Sequence, residues 1–411
     1  MRLPQNRRAE NLKPTFKINY QEVLQENLHS GMLYGYGDPA VLRVNSKSAA
    51  EDPRYYLLAT SNDAPDSFPI LRSRNLLDWK FVNYVFPAGK KPAWAADGEL
   101  ISDFWAPEMH LVQNEFRVYF VARDKHTREL CIGLAKSESP EGPFVPEAEP
   151  VLNGNVIDPH VLVQDDGQAY LFWKEDNNDV WPGRLNDLLY ENPGLITELF
   201  TTPEDQLTAS FIITLWPWAK MLEPMERFLI QQILIEAVIA VYAQFYDHLA
   251  ALATRQPAPV QEAIREVMQF MKTPMFAQPL SADGTRLVGE RTKIIQNDLA
   301  WEAHLVEGMW VTRQNHQYYL FYAGNDFSTD QYGIGVAVAD SPLGPYRKMQ
   351  KPFLQSTKTW WAPGHPSVVN GLNGEPILFL HAYFPGKAGY KQFRALLAVP
   401  LQFTEAGVLP A

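Results

Sequence analysis

The 411-residue chain has one cysteine, so no internal disulfide can brace it. It has no basic run, and Asp plus Glu outnumber Lys plus Arg by 47 to 36, a net charge of −11. Nucleic acid is therefore not an expected partner. A clean apolar run is missing as well. Residues 228–253 come nearest, but Gln231, Gln232, Glu236, Gln244 and Asp247 interrupt them, which argues against a membrane span. The opening Met1-Arg-Leu-Pro-Gln-Asn-Arg-Arg lacks the apolar core of a signal peptide, so the expected location is cytoplasmic, or secreted if a leader precedes it. There is no Gly-x-Ser-x-Gly elbow, phosphate loop or His-Glu-x-x-His pair, which sets aside serine hydrolases, nucleotide enzymes and zinc proteases.

Hydrophobic residues make up 46% and charged residues 20%, which is ordinary globular composition. The excess is in aromatics (11 Trp, 18 Tyr, 22 Phe) and in 32 Pro against 24 Gly, which suits many short strands joined by turns. One unit recurs five times: a polar residue, an apolar run, a polar linker and an aromatic strand. Asp38-Pro-Ala-Val-Leu leads to Tyr55-Tyr-Leu-Leu; Glu108-Met-His-Leu-Val to Phe116-Arg-Val-Tyr-Phe; Asp158-Pro-His-Val-Leu to Ala169-Tyr-Leu-Phe-Trp. Glu307-Gly-Met-Trp-Val then leads to Tyr318-Tyr-Leu-Phe-Tyr, and His365-Pro-Ser-Val-Val to Pro376-Ile-Leu-Phe-Leu. A third strand follows, clearest where Cys131-Ile-Gly-Leu-Ala with Ser139-Pro-Glu-Gly-Pro-Phe parallels Gly333-Ile-Gly-Val-Ala with Ser341-Pro-Leu-Gly-Pro-Tyr. Five such units predict an all-β fold, a five-bladed β-propeller. Cys131 lies in an apolar strand and reads as core.

The entrance residues 38, 108, 158, 307 and 365 are spaced by 70, 50, 149 and 58. The long gap holds about 90 extra residues whose pattern turns helical. The expected organisation is blades one to three over 1–200, a helical insertion over 201–284 and blades four and five over 285–411. Within the insertion, residues 225–252 and 260–271 read as two helices separated by Pro257 and Pro259. So apolar a segment needs covering by the propeller or by a second copy of the chain, so a homo-oligomer through the insertion is one expectation.

In a propeller the innermost strands start near the axis, so equivalent residues converge. Four carboxylates and an imidazole would then meet. Crowded acids repel, so at least one should hold its proton near neutrality, which suits acid–base hydrolysis of a glycosidic bond. A cation site is the competing reading of the same oxygens.

Tyr36-Gly-Asp38-Pro-Ala-Val, Asp103-Phe-Trp-Ala-Pro-Glu108, Val156-Ile-Asp158-Pro, Val306-Glu307-Gly and Ala362-Pro-Gly-His365-Pro-Ser-Val together resemble glycoside hydrolase family 43. The resemblance covers roughly residues 34–200 and 285–405 and leaves out the helical insertion. It implies a five-bladed propeller that hydrolyses glycosides with inversion: Asp38 as general base, Glu307 as general acid and Asp158 as the neighbour that orients the acid and raises its pKa. An inverting pair leaves room for water, about 6.5–9.5 Å between carboxyls. The resemblance places Phe104, Trp105, Glu108 and Arg394 at the sugar. His365 matches an axial histidine that often contacts a water-coordinated cation, so a structural calcium in the channel is an expectation, although no cofactor is required for the chemistry. The implied substrate is an oligosaccharide bearing terminal α-L-arabinofuranose or β-D-xylose; the alternatives are an endo-arabinanase, a galactosidase or a non-catalytic carbohydrate-binding propeller.

Overall fold

The computed structural model describes residues 18–45, 53–405 and 407–411; the N-terminal stretch read for a leader lies outside them. Among the described residues, five antiparallel sheets form the fold. The first contains Ala40–Val44, Arg54–Leu58, Ser67–Ser73 and Lys80–Phe86; the second Trp105–Val112, Glu115–Arg123, Leu130–Ser137 and Val145–Pro146. The third contains Val156–Val163, Ala169–Glu175, Pro274–Pro279 and Thr292–Gln296; the fourth Val306–Gln314, Gln317–Gly324, Gly333–Ala339 and Arg347–Lys348. In the fifth, Trp361–Asn370, Pro376–Tyr383 and Ala395–Thr404 are joined by Gly407–Pro410 and by Gln21–Leu24 from the other end of the chain. Short turns fix the register. Gln113-Asn114 and Asn315-His316 both have positive φ at each central residue, as a two-residue hairpin of right-handed twist demands.

Each sheet packs on the next. Phe68, Phe86 and Phe120 fill the space between the first and second sheets. Tyr119, Leu171 and Trp173 lie between the second and third, Phe172, Met275 and Leu320 between the third and fourth, and Phe321, Val336 and Leu380 between the fourth and fifth. Val41, Leu57, Phe379 and Leu396 then join the fifth sheet to the first, so the ring closes. The inner strands of neighbouring sheets touch all the way round. The arrangement is mostly β and consistent with a propeller.

The helices are α1 (Val180–Glu191), α2 (Leu195–Leu199), α3 (Pro203–Ala219), α4 (Pro224–Ile239), α5 (Tyr242–Ala253) and α6 (Ala258–Phe270). The expected bounds of 201–284 need correction at both ends. Trp181, Leu185, Leu188 and Leu189 already follow helical spacing and are buried. After α6, Pro274–Pro279 pairs with Ala169–Glu175, Phe172 opposite Ala277, so the helices interrupt the third sheet between its second and third strands. Prolines at both ends of that strand mask its period-two signal. The apolar stretch from 225 to 252 is two helices, α4 and α5, bent by 89°. The bend turns Leu234, Ile235 and Val238 of one and Phe245, Leu249 and Leu252 of the other into a single helical core. That core supplies most of the cover so apolar a segment needs; the outer face of α3 still leaves Leu207, Phe211 and Trp218 exposed. Among the described residues no single helix is long and apolar enough to cross a membrane.

Candidate active site

The inner strands open on a repeated backbone irregularity. Asp38, Ala106, Asp158, Gly308 and His365 all have φ between 44° and 57°, the left-handed region that side chains ordinarily avoid. Pairing slips beside this residue in the second to fifth sheets. Such strained positions recur where a fold presents side chains to a ligand. Here they bring Asp38, Asp158, Glu307 and His365 to the wall of one cavity, together with Trp105 and Arg394.

On one side stands Asp38. Its carboxylate accepts from Arg394 Nη1 at 2.8 Å and from Thr60 Oγ1 at 2.5 Å, and His365 Nδ1 lies 3.5 Å away. Burial alone would raise its pKa, but Arg394, backed by His365 and the Thr60 hydroxyl, holds it well below the usual carboxylate range. The backbone N–H of Asp38 donates to His381 Nδ1, whose ring burial keeps neutral. Gly37 makes the Arg394 contact physically accessible: a Cβ there would sit 1.8 Å from the guanidinium carbon.

Glu307 lines the same cavity. Tyr332 donates its hydroxyl to Oε1 at 2.8 Å, and buried Lys174 reaches Oε2 at 3.3 Å. Gly364 clears the space for the Tyr332 ring, since a Cβ would fall 2.0 Å from it. Asp158 accepts from the N–H of Gly308, the residue after Glu307, at 2.7 Å. Burial raises the Glu307 pKa, Lys174 and the Tyr332 bond oppose the rise, Asp158 adds to it, and the net shift is upward. Asp158 is itself raised, again by burial first. The cavity thus offers one carboxyl poised to accept a proton and another poised to hold one.

Two residues expected at the sugar are elsewhere. Phe104 is fully buried and packs against Phe68 and Phe120, 5.7 and 6.4 Å between centroids, as part of the core between the first two sheets. Glu108 is also off the cavity wall. It lies two residues beyond the left-handed Ala106, the register of His160, Trp310 and Ser367, and accepts from His110 Nε2 at 2.9 Å and His160 Nδ1 at 3.0 Å. The Val311 N–H donates to His160 Nε2, which fixes the proton on Nδ1. Burial opposes its charge, yet the two imidazoles bring the Glu108 pKa down to about 2. Trp105 does line the cavity, its indole N–H held by Asn62 at 2.9 Å.

A calcium beside His365 would have to take nearly all of its oxygens from water. Among the described residues no three His, Cys, Asp or Glu side chains gather as ligands, and the oxygen facing His365 Nδ1 is the one Arg394 already binds. A hard cation needs six to eight oxygens.

Lys174, His381 and Thr60 were not anticipated, although one signal could have found them. Each stands on, or just beyond, the second strand of its sheet, opposite the entrance residue, where antiparallel pairing sets Ile157 against Lys174 and Gly364 against His381. A polar residue ending an otherwise apolar run, as in Tyr170-Leu-Phe-Trp-Lys174 or Ile377-Leu-Phe-Leu-His381, therefore faces the axis.

The sequence model of Glycosyl hydrolases family 43 matches residues 35–204 and 266–409. The chain belongs to this family. The unmatched stretch holds α3, α4, α5 and the start of α6. Among curated relatives, a xylosidase/arabinosidase 43A of Humicola insolens is 27% identical over 278 residues, 67% of this chain and 65% of that protein. A xylosidase/arabinosidase of Bacteroides ovatus is 24% identical over 303 residues, 74% and 71% of the two chains. The crystal structure of a thermostable family-43 glycoside hydrolase superposes with a TM-score of 0.62 at 24% identity, over 92% of each chain. This family 43 chain thus spans about two thirds of the length of the curated relatives it matches.

Proposed function

We propose that this family 43 chain is an inverting glycoside hydrolase that releases terminal α-L-arabinofuranose or β-D-xylose from plant-derived oligosaccharides, on the axis of a five-bladed propeller. The observation that carries the reading is the contrast in proton affinity between Asp38 and Glu307 in one cavity: the first ionised by Arg394, the second shifted toward its protonated form by burial and Asp158. Asp38 takes a proton from water as the water oxygen bonds to the anomeric carbon. The glycosidic bond breaks on the opposite face, and Glu307 gives its proton to the departing oxygen. Asp158 acts on Glu307 by holding the adjoining peptide and by repelling its charged form. The names of the matched relatives support a pentose substrate.

Release of aryl alcohol from aryl arabinofuranosides and aryl xylosides tests the reading, and no turnover of either would reject it. A pH series tests the acid. Its raised pKa means that kcat/KM is retained at low pH and lost as pH rises through the Glu307 pKa. Lys174→Met removes a charge that pulls this pKa down, so the alkaline limb moves to higher pH; Asp158→Asn removes a repulsion, so it moves to lower pH. Shifts in one common direction would contradict the assignment.

A further inference from the structure

The insertion contributes to the cavity. Met225 and Phe228, in the first turns of α4, line it together with Glu307 and Asp38. Their position along the cavity follows from their neighbours. Arg227 Nη2 binds Asp179 Oδ2 at 2.9 Å, just beyond the strand whose Lys174 reaches Glu307. Gln232 Nε2 donates to Ser328 Oγ at 3.0 Å and approaches Asp326, in the turn after the strand that pairs with that of Glu307. Phe327, between those two residues, also lines the cavity. These bonds seat α4 on the Glu307 side, and the acid's side is where the departing sugar must lie.

The wall is fixed. Pro224 starts the helix, Glu223 and Glu226 form a capping box, and Glu223 also pairs with Arg128 in the turn after the second strand of the second sheet. Its surface is a thioether and a phenyl ring, a match for the C–H face of a sugar and not for its hydroxyls. It also lies within the stretch that the family model leaves unmatched.

We infer that Met225 and Phe228 form the apolar wall of the leaving-group subsite, so that the insertion favours a sugar ring over a small leaving group without reading that ring's hydroxyl pattern. The inference rests on the proposed pentosidase activity. Its test compares kcat/KM on a pentobiose, β-1,4-xylobiose or α-1,5-arabinobiose, with kcat/KM on the corresponding methyl pentoside. In Phe228→Leu, which keeps an apolar side chain and loses the flat face, the ratio of disaccharide to methyl pentoside falls about five- to tenfold, chiefly through the disaccharide KM. Met225→Ala lowers the ratio in the same direction. Equal losses on both substrates, or an unchanged ratio, would overturn the subsite assignment while leaving the pentosidase reading intact. A wild-type protein inactive on every pentoside would overturn both.

Discussion

Glu307→Ala lowers kcat by roughly 10²- to 10⁴-fold on a pentobiose, the range that a positioned general acid supplies. The loss should depend on the leaving group. A sugar alkoxide needs protonation as it departs, whereas a dinitrophenolate leaves well without it, so the deficit on a dinitrophenyl pentoside shrinks by at least an order of magnitude. The alkaline limb of the pH profile disappears with the carboxyl. Steady-state kinetics on the two substrates check this, and an equal deficit on both would remove Glu307 from the acid role. The geometry supports that role: its Oε1 is held by Tyr332 and its Oε2 by Lys174, so the side chain has one orientation toward the cavity.

Asp38→Asn has the complementary signature. The amide cannot take the water proton, so kcat falls by about 10²- to 10⁴-fold whatever the leaving group. Asparagine is the informative replacement because it preserves the size and one oxygen, which can still accept from Arg394, at the loss of the bond from the Thr60 hydroxyl. Alanine would leave a buried guanidinium unpaired, at a cost of about 3–5 kcal/mol in stability that would confuse the reading. Thermal unfolding of the Asn variant alongside the kinetics separates folding from chemistry. An activated leaving group that restored its rate would mean that Asp38 is not the base.

The ring of sheets was legible because its units repeat: the aromatic second strands and the Ser-Pro-x-Gly-Pro turns carry the period. What the repeat does not carry was missed. Gln21–Leu24 belongs to the fifth sheet through partners near residue 397, and a strand of four residues has no pattern that announces so distant a pairing. The helical segment begins at Val180, just after Lys174 and Asp176 close the strand at the cavity, so the change of period falls beside residues that serve the site. Within the site, Asp38, Asp158 and His365 were legible because each opens the repeated unit and falls in a motif that resembles the family; the proline after each favours extended backbone, and the left-handed φ found at all three departs from that expectation. Glu108 also stands near a proline, Pro107, but follows it; the bulge at Ala106 shifts the carboxylate two places along and one layer away, into the pair of imidazoles. Phe104 precedes the bulge and points into the core. Counting from the left-handed residue, rather than from the start of the apolar run, separates these cases.

In the proposed reaction water attacks opposite the departing sugar, with no covalent intermediate. The most direct measurement is proton NMR of an aryl xyloside or arabinofuranoside digest, recorded before the product mutarotates. The first sugar to appear is expected to have the anomeric configuration opposite to that of the substrate. First-formed product with the substrate's own configuration would contradict it and make Asp38 a nucleophile.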